Sequence, residues 1–188
     1  QSRAPHREPR ITMTLLVVPH SRAWHDAFLD EANAIMHALG ATVVDLQHIG
    51  STAIRNIAAK PTIDMLLFVR DLDELDGKTD ALEAMKYEAK GEFGIVGRRY
   101  FRKHDAQGVR THHLHAFRSG DPEGVRHIAF RDYMNAQPDC ASAYGQLKLT
   151  LAARHANDAE AYMDGKYAFV KEHERKALAW LATVTRSS

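Results

Sequence analysis

One acid inside an apolar run constrains the fold more than any other feature of this chain. The stretch His48–Val69 breaks at Gly50-Ser51-Thr52 and ends in the apolar run Thr62–Val69. This pattern predicts a strand, a tight turn, a short helical segment and a second strand. The second strand contains Asp64, and a carboxylate that faces a packed core is costly. We therefore expect Asp64 to face a cleft, a metal ion or a ligand.

The glycine turn before that strand has features of an anion site. Gly50 allows the backbone to approach a ligand closely. Ser51 or Thr52 is expected to cap a short helix that runs through Ile57, and a helix N-terminus presents free N–H groups to an anion. The same residues also suit a structural turn in which Asp64 only caps or forms an ion pair, so the spacing alone leaves both interpretations open.

The rest of the chain predicts strands first and helices last. In chain order the predicted elements are helix Arg22–Leu39 with Ser21 as its cap, strands Ala41–Ile49 and Thr62–Val69, helix Asp71–Met85, strand and turn Glu88–Gly97, strands Arg98–His104 and Arg110–Phe117, and three helices from Glu123 to Pro138, from Asp139 to His155, and from Asp158 through Leu181. This order predicts an α+β fold in which a mixed β-sheet is backed by helices and followed by a helical C-terminal region.

Length and composition suit one domain. We expect residues 1–12 to be a tag or disordered leader, residues 13–120 to form the sheet part and residues 121–188 the helical part. No apolar run approaches the roughly 20 residues that span a bilayer, and the polar, basic first ten residues do not resemble a secretory signal. A single cysteine excludes an internal disulfide framework. These features predict a cytoplasmic protein without a membrane partner.

The charge of the chain argues against one class of partner. The formal net charge of +1 gives no electrostatic reason to expect a nucleic-acid partner. A small-molecule or nucleotide ligand is the expected partner, and the sequence does not indicate an oligomeric state.

Two histidines on the last predicted strand are candidate metal ligands. His113 and His115 lie two residues apart, so their side chains point to the same face of a strand and can bind one ion. Because the chain contains 12 histidines, such a pair also arises by chance as a hydrogen-bonded pair on a polar sheet face.

Basic residues on other elements are candidate phosphate ligands. Strand alternation places Arg98, Tyr100 and Arg102 on one face and Arg99, Phe101 and Lys103 on the other. The guanidinium of Arg99 or Arg102 could bind phosphate or carboxylate, or these residues could protect a solvated edge strand. Lys166, one helical turn after Tyr162, could reach the cleft or belong to a surface stripe.

Several blocks together resemble a known family. The blocks are His48-Ile-Gly-Ser-Thr-Ala, Ala59-Lys-Pro-Thr-Ile-Asp64, Gly97-Arg-Arg-Tyr-Phe-Arg-Lys103, Thr111-His-His-Leu-His115, Arg126-His-Ile-Ala-Phe-Arg-Asp-Tyr133 and Tyr162 through Lys166 to Phe169. Their identity and order resemble the GrpB family. That family in turn resembles the DNA polymerase β-like nucleotidyltransferase superfamily, which implies a nucleotidyltransferase-like fold.

The resemblance implies roles for these residues. Phosphates of an NTP would be held by Gly50, Ser51, Thr52, Lys60, Arg99, Arg102 and Lys166, and a divalent metal by Asp64 with His113 and His115, either of which could instead act as a base. The implied reaction transfers a nucleoside monophosphate from NTP to a small acceptor, with Mg²⁺ as cofactor. The alternative is a divergent, non-catalytic domain of the same fold that binds a metal, a nucleotide or an anionic metabolite.

Two departures from the superfamily pattern favour that alternative. Leu66 stands where the Asp-x-Asp or Asp-x-Glu pattern has its second acid, and His113 and His115 occupy the expected place of a third. One carboxylate with two imidazoles is a softer ligand set, better suited to Zn²⁺ or another transition metal than to Mg²⁺.

Overall fold

Five strands and six helices are described between residues 16 and 186 of a computed structural model of the protein. The strands are β1 (Val43–Ile49), β2 (Ile63–Val69), β3 (Tyr87–Ala89), β4 (Arg99–His104) and β5 (Arg110–Arg118). The helices are α1 (Ala23–Leu39), α2 (Leu72–Asp76), α3 (Thr79–Ala84), α4 (Pro122–Ala136), α5 (Pro138–Arg154) and α6 (Ala159–Val184). The predicted leader, residues 1–12, lies outside the described residues.

The strands form one mixed sheet in the order β1-β2-β5-β4-β3. The pair β2–β5 is parallel, and the other three pairs are antiparallel. Because β5 lies between β2 and β4, it aligns His113 with Asp64 and His115 with Leu66 on β2. The mixed sheet, its helices and the helical C-terminal region confirm the predicted fold class.

Alternation along the strands separates a core face from a second face. Met65, Leu67 and Leu114 are fully buried in the main core, together with residues of α1, α2 and α3. The intervening residues, Asp64 and Leu66 on β2 among them, point to the opposite face. The helices α4 and α6 contact each other and cover part of that face. The one acid of β2 therefore lies beneath the C-terminal helices rather than in the main core.

Two predicted helices are shorter than the sequence indicated. The segment 71–85 forms two helices instead of one, because Asp71 caps α2 and Gly77 ends it before α3 begins at Thr79. The predicted helix through Ile57 is limited to one 3₁₀ turn, Ser51–Ala53. Ile54 then adopts an extended conformation, and its side chain is buried in a cluster formed with the C-terminal helices. Tertiary packing therefore overrides the local capping signal here.

The C-terminal helices begin at acidic caps. Asp121 accepts a hydrogen bond from the N–H of Glu123 ahead of α4, and Asp158 accepts one from Ala161 ahead of α6, as predicted. Gly124 on α4 lies so close to β2 that a Cβ there would be 2.5 Å from Cε1 of Phe68. No helix within residues 16–186 is both long and apolar enough to cross a membrane.

The contact between α4 and the sheet generates a prediction. We expect Gly124→Ala to destabilise the protein by about 1–2 kcal/mol, because overpacking against Phe68 exceeds the gain of about 1 kcal/mol in helix propensity. Phe68→Leu removes the ring atoms in question, so Gly124→Ala in that background should destabilise much less. Urea unfolding of the four proteins measures this coupling, and strictly additive effects would contradict it.

Candidate functional site

The carboxylate of Asp64 connects two parts of the site. Its Oδ1 accepts a hydrogen bond from Nδ1 of His113 at 2.8 Å and lies 4.0 Å from Nε2 of His115. Its Oδ2 lies against the α-carbon of Gly50, where an added Cβ would be only 2.5 Å away. The register of β1, β2 and β5 produces this placement, since Asp64 is aligned with Ile49 on one side and with His113 on the other.

Gly50 is required by this arrangement for two reasons. Its φ of +70° lies in the left-handed region, which a residue with a side chain rarely adopts. A side chain there would also collide with the carboxylate of Asp64. The glycine turn and the acid are therefore in direct contact, and Ser51 follows at the start of the 3₁₀ turn.

The environment of Asp64 favours its ionised form. Burial alone would raise the pKa of Asp64, but the hydrogen bond and the electrostatic interaction with His113 contribute most to lowering that pKa overall. The site therefore presents a negative charge beside nitrogen donors.

The histidines around Asp64 are largely desolvated. Burial lowers the pKa of His115 to about 4, and Nη1 of Arg98 donates to its Nδ1 at 3.4 Å. Burial also lowers the pKa of His127 on α4 to about 3. Nε2 of His113 and Nε2 of His127 are buried without a hydrogen-bond partner within residues 16–186. At neutral pH His115 and His127 are therefore neutral.

The donor atoms around Asp64 suit one metal ion better than the Mg²⁺ ions that the nucleotidyltransferase resemblance implies. Donor atoms of Asp64, His113 and His115 lie within 4.8 Å of one another, which suits one ion. Paired Mg²⁺ ions do not fit, because Leu66 is fully buried among Ile49, Phe68 and Phe117 and offers no carboxylate. The chemistry of one carboxylate and two imidazoles suits a single transition-metal ion.

A cavity of about 300 Å³ opens beside this cluster, between the sheet and the C-terminal helices. Its walls are formed by Ile49, Gly50, Ser51, Asp64, His115, Arg126, His127, Phe130, Tyr144, Lys166, Val170 and Glu174. Its volume lies at the lower end of the range of small-molecule sites, and the glycine turn and Asp64 lie on its wall.

Lys166 lines the cavity, and Lys60 and Lys148 lie next to its wall, against Tyr162 and Tyr144. Nζ of Lys166 and Nζ of Lys60 lie 4.8 and 4.9 Å from the centroid of the Tyr162 ring. Lys148 is 1% exposed, and its Nζ has no hydrogen-bond partner in the described part of the chain. Burial and the charge of Lys166 lower the pKa of Lys148 to about 7, and burial and Lys60 lower that of Lys166 to about 8. An anion in this region would relieve the repulsion among the three lysines.

The structure does not bring every predicted ligand residue to the cavity. Thr52 is 3% exposed, and its Oγ1 forms a hydrogen bond with Nε2 of His48 at 2.8 Å, so its hydroxyl is already engaged. Arg99 lies on the other face of the sheet and donates to both oxygens of Asp76, at 2.7 and 2.6 Å. Both phosphate-binding expectations are therefore corrected: Thr52 stabilises the turn, and Arg99 anchors α2.

Arg102 lies on the expected face but outside the cavity. Its guanidinium carbon is 4.4 Å from the ring centroid of Phe93 and 5.2 Å from that of Tyr100. It is therefore separated from Gly50 and Ser51 by β5 and its two histidines.

Sequence reasoning did not identify part of the wall. His127 was not predicted as a site residue, nor was Arg126, whose guanidinium forms ion pairs with Glu123 and Glu174. Arg98, which donates to Nδ1 of His115 outside the wall, was not predicted either. Arg126 and His127 begin one of the blocks that carry the family resemblance, and their place in that block was the sequence feature that could have indicated a site role. Tyr144 and Phe130 gave no signal, because aromatic residues at helical spacing usually pack in a core.

Comparison with solved structures defines the class of fold. Terminal uridylyl transferase 4 from Trypanosoma brucei with bound dUTP superimposes with a TM-score of 0.52 at 10% identity, over 89% of this chain and 56% of that one. The conserved protein GrpB from Enterococcus faecalis superimposes with a TM-score of 0.84 at 39% identity, over 88% of this chain and 99% of that one. The fold is therefore that of the nucleotidyltransferases.

The sequence identifies the family within that class. The profile of the GrpB protein family matches residues 14–176. UPF0157 protein YqkA of Bacillus subtilis is 39% identical over 164 residues, which are 87% of this chain and 47% of YqkA, so the match spans about half of that relative. This chain belongs to the GrpB family, as its sequence blocks predicted.

The buried imidazole of His48, just before the glycine turn, generates a prediction about the pH dependence of stability. Burial lowers the pKa of His48 to about 4, because the ring is stacked on Phe28 and excluded from water. The unfolded chain, with a pKa near 6.5, binds this proton more readily, so His48 reduces stability as the pH falls from about 6.5 towards 4. Between about pH 7 and pH 5 we expect the free energy of unfolding of the wild type to fall by about 2 kcal/mol more than that of His48→Gln. Denaturant melts across this range measure the difference, and identical pH profiles would contradict the assignment.

Proposed function

We propose that the protein is a metal-dependent nucleotidyltransferase that moves a nucleoside monophosphate from an NTP to a small acceptor. The contact between the Gly50-Ser51 turn and the ionised Asp64, at the wall of a lysine-rich cavity, carries this proposal. A backbone turn, one acid and several cations are what a polyphosphate beside a metal requires.

The charges around the cavity support an NTP as the ligand. Lys60, Lys148 and Lys166 lie around Tyr144 and Tyr162 and form no ion pair with an acid among residues 16–186, so the phosphate chain would extend from Ser51 towards them. Glu174 does not cancel this charge, because it is already paired with Arg126 and Lys171.

In the proposed reaction an acceptor oxygen attacks the α-phosphorus of the NTP. The bond from that phosphorus to the bridging oxygen breaks, and pyrophosphate leaves. His113 or His115 takes the acceptor proton, and the hydrogen bond to Asp64 holds His113 in place for this role. A metal ion bound by Asp64 with the other imidazole would neutralise charge on the phosphate oxygens.

Removing the acid tests this proposal. We expect Asp64→Asn to reduce transfer from labelled NTP to a metabolite panel roughly a hundredfold or more, because the only site carboxylate contacting Gly50 loses its charge. Asp164→Asn, on the exposed surface of α6, is the control and should leave transfer unchanged. No turnover by the wild type with any divalent metal, together with no NTP binding by calorimetry, would contradict the proposal.

A second candidate function is a non-catalytic domain that binds a metal and an anionic ligand. The observation that favours it is Leu66, which is 0% exposed and packed in an apolar cluster where a second metal-binding acid would be required. In this case the cavity would bind a nucleotide or an anionic metabolite without transferring any group.

Metal analysis tests the shared part of both functions. We expect His113→Ala/His115→Ala to lose most of the transition metal that co-purifies with the wild type without chelator, because two of the three grouped donors are removed. His37→Ala changes an exposed histidine of α1 and should retain the metal. Elemental analysis of the three proteins gives the result, and equal metal content in all of them would remove the histidines from the site.

A further inference from the structure

Arg102 differs from the other basic residues of its strand. Arg99 is paired with Asp76, and Lys103 donates to both oxygens of Glu31 at 2.8 and 2.9 Å. Arg98 donates to the carbonyl oxygens of Glu92 and Phe93. The side chain of Arg102 forms no hydrogen bond or ion pair with any residue from 16 to 186, and its Nε is buried without a partner. Arg102 therefore retains an unused guanidinium beside the site.

The acid opposite Arg102 in the sheet register does not occupy this guanidinium. Glu88 is aligned with Arg102 on the neighbouring strand β3, but its carboxylate is engaged by Nζ of Lys90. A planar guanidinium with free donors is suited to two-point binding of a carboxylate or phosphate.

Aromatic rings hold Arg102 in place. Its guanidinium carbon lies 4.4 Å from the ring centroid of Phe93 and 5.2 Å from that of Tyr100, and the two rings contact each other with centroids 5.3 Å apart. Such stacking restricts the side chain before any ligand arrives, so less entropy is lost on binding. Phe93 is 54% exposed, so this stack is open to solvent on one side.

The position of Arg102 relates it to the proposed chemistry. Arg102 is aligned with His113 across β4 and β5, and the Tyr100 ring beneath it lies 5.6 Å from His113 and 4.9 Å from His115. The cavity lies on the other side of these histidines, against Gly50 and Ser51. Two ligands could therefore approach Asp64 from opposite sides, one through the cavity and one across β4.

We propose that Arg102, packed against Phe93 and Tyr100, binds the anionic group of the acceptor, so that the acceptor is a small hydroxylated molecule bearing a carboxylate or phosphate. The role of this ligand as the acceptor rests on the proposed function, but the anion site itself rests on Arg102 and its surroundings. The NTP would then bind in the cavity on one side of His113 and His115, and the acceptor at Arg102 on the other side.

Three matched probes test the proposal: glycerol, glycerate and glycerol 3-phosphate differ in whether they carry a carboxylate, a phosphate or no anion. Calorimetry measures their binding with and without a non-hydrolysable ATP analogue, which blocks the lysine cavity. We expect Arg102→Gln to weaken binding of the anionic probes about tenfold or more, with no effect on glycerol. If the wild type binds glycerate more tightly than glycerol 3-phosphate, the anionic group of the acceptor is a carboxylate; the opposite order indicates a phosphate.

Two further variants keep the result interpretable. Arg99→Gln changes a paired arginine on the opposite face and should leave probe binding unchanged. Arg102→Lys preserves the charge and the fold but loses the planar fork, so it should recover only part of the affinity. Equal binding of the anionic probes by the wild type, Arg102→Gln and Arg99→Gln would overturn the anion site. Failure of the wild type to bind the ATP analogue would instead overturn the proposed function, and with it the assignment to an acceptor.

Discussion

The site depends on the contact of one carboxylate with a glycine on one side and an imidazole on the other. Oδ2 of Asp64 occupies the space that a side chain at position 50 would need, and Oδ1 accepts the hydrogen bond from His113. These two contacts join the turn after β1, the strand β2 and the strand β5 into one surface. The cavity, the lysines of the C-terminal helices and the aromatic stack on β4 are all arranged around that surface.

Electrostatics divide this surface into regions with different uses. The carboxylate and the neutral imidazoles offer donors to a cation, whereas the lysines near Tyr162 repel one another until an anion reaches them. The packing of Leu66 sets a limit on the chemistry, because the apolar cluster around it leaves no room for a second acid. The GrpB chain therefore retains the nucleotidyltransferase fold with a group of possible metal ligands, one carboxylate and two imidazoles, unlike the superfamily pattern.

The sequence predicted the parts that depend on local pattern. Alternation along Arg98–Lys103 and Arg110–Phe117 gave the correct faces, and the Gly-Ser turn and Asp64 were correctly placed at the ends of neighbouring strands. The contact of Thr52 with His48, four positions earlier, depends on the conformation of the turn at Gly50. The pairing of Arg99 with Asp76 could not be predicted, because Asp76 is brought close only by the tertiary fold. The contribution of His127 was missed for the same reason, since its helix crosses the sheet from far along the chain.

The parallel pairing of β2 with β5 has a consequence for how the site is assembled during folding. Asp64 and His113 are 49 positions apart in the chain, and β3 and β4 are both synthesised between them. Closing such a long loop costs entropy that local turns avoid, so contacts of high sequence separation form slowly. Early species that contain only the β1–β2 hairpin would hold the glycine turn and its acid but no imidazole partner. The grouping of Asp64 with His113 and His115 therefore appears only once the central strand has been inserted.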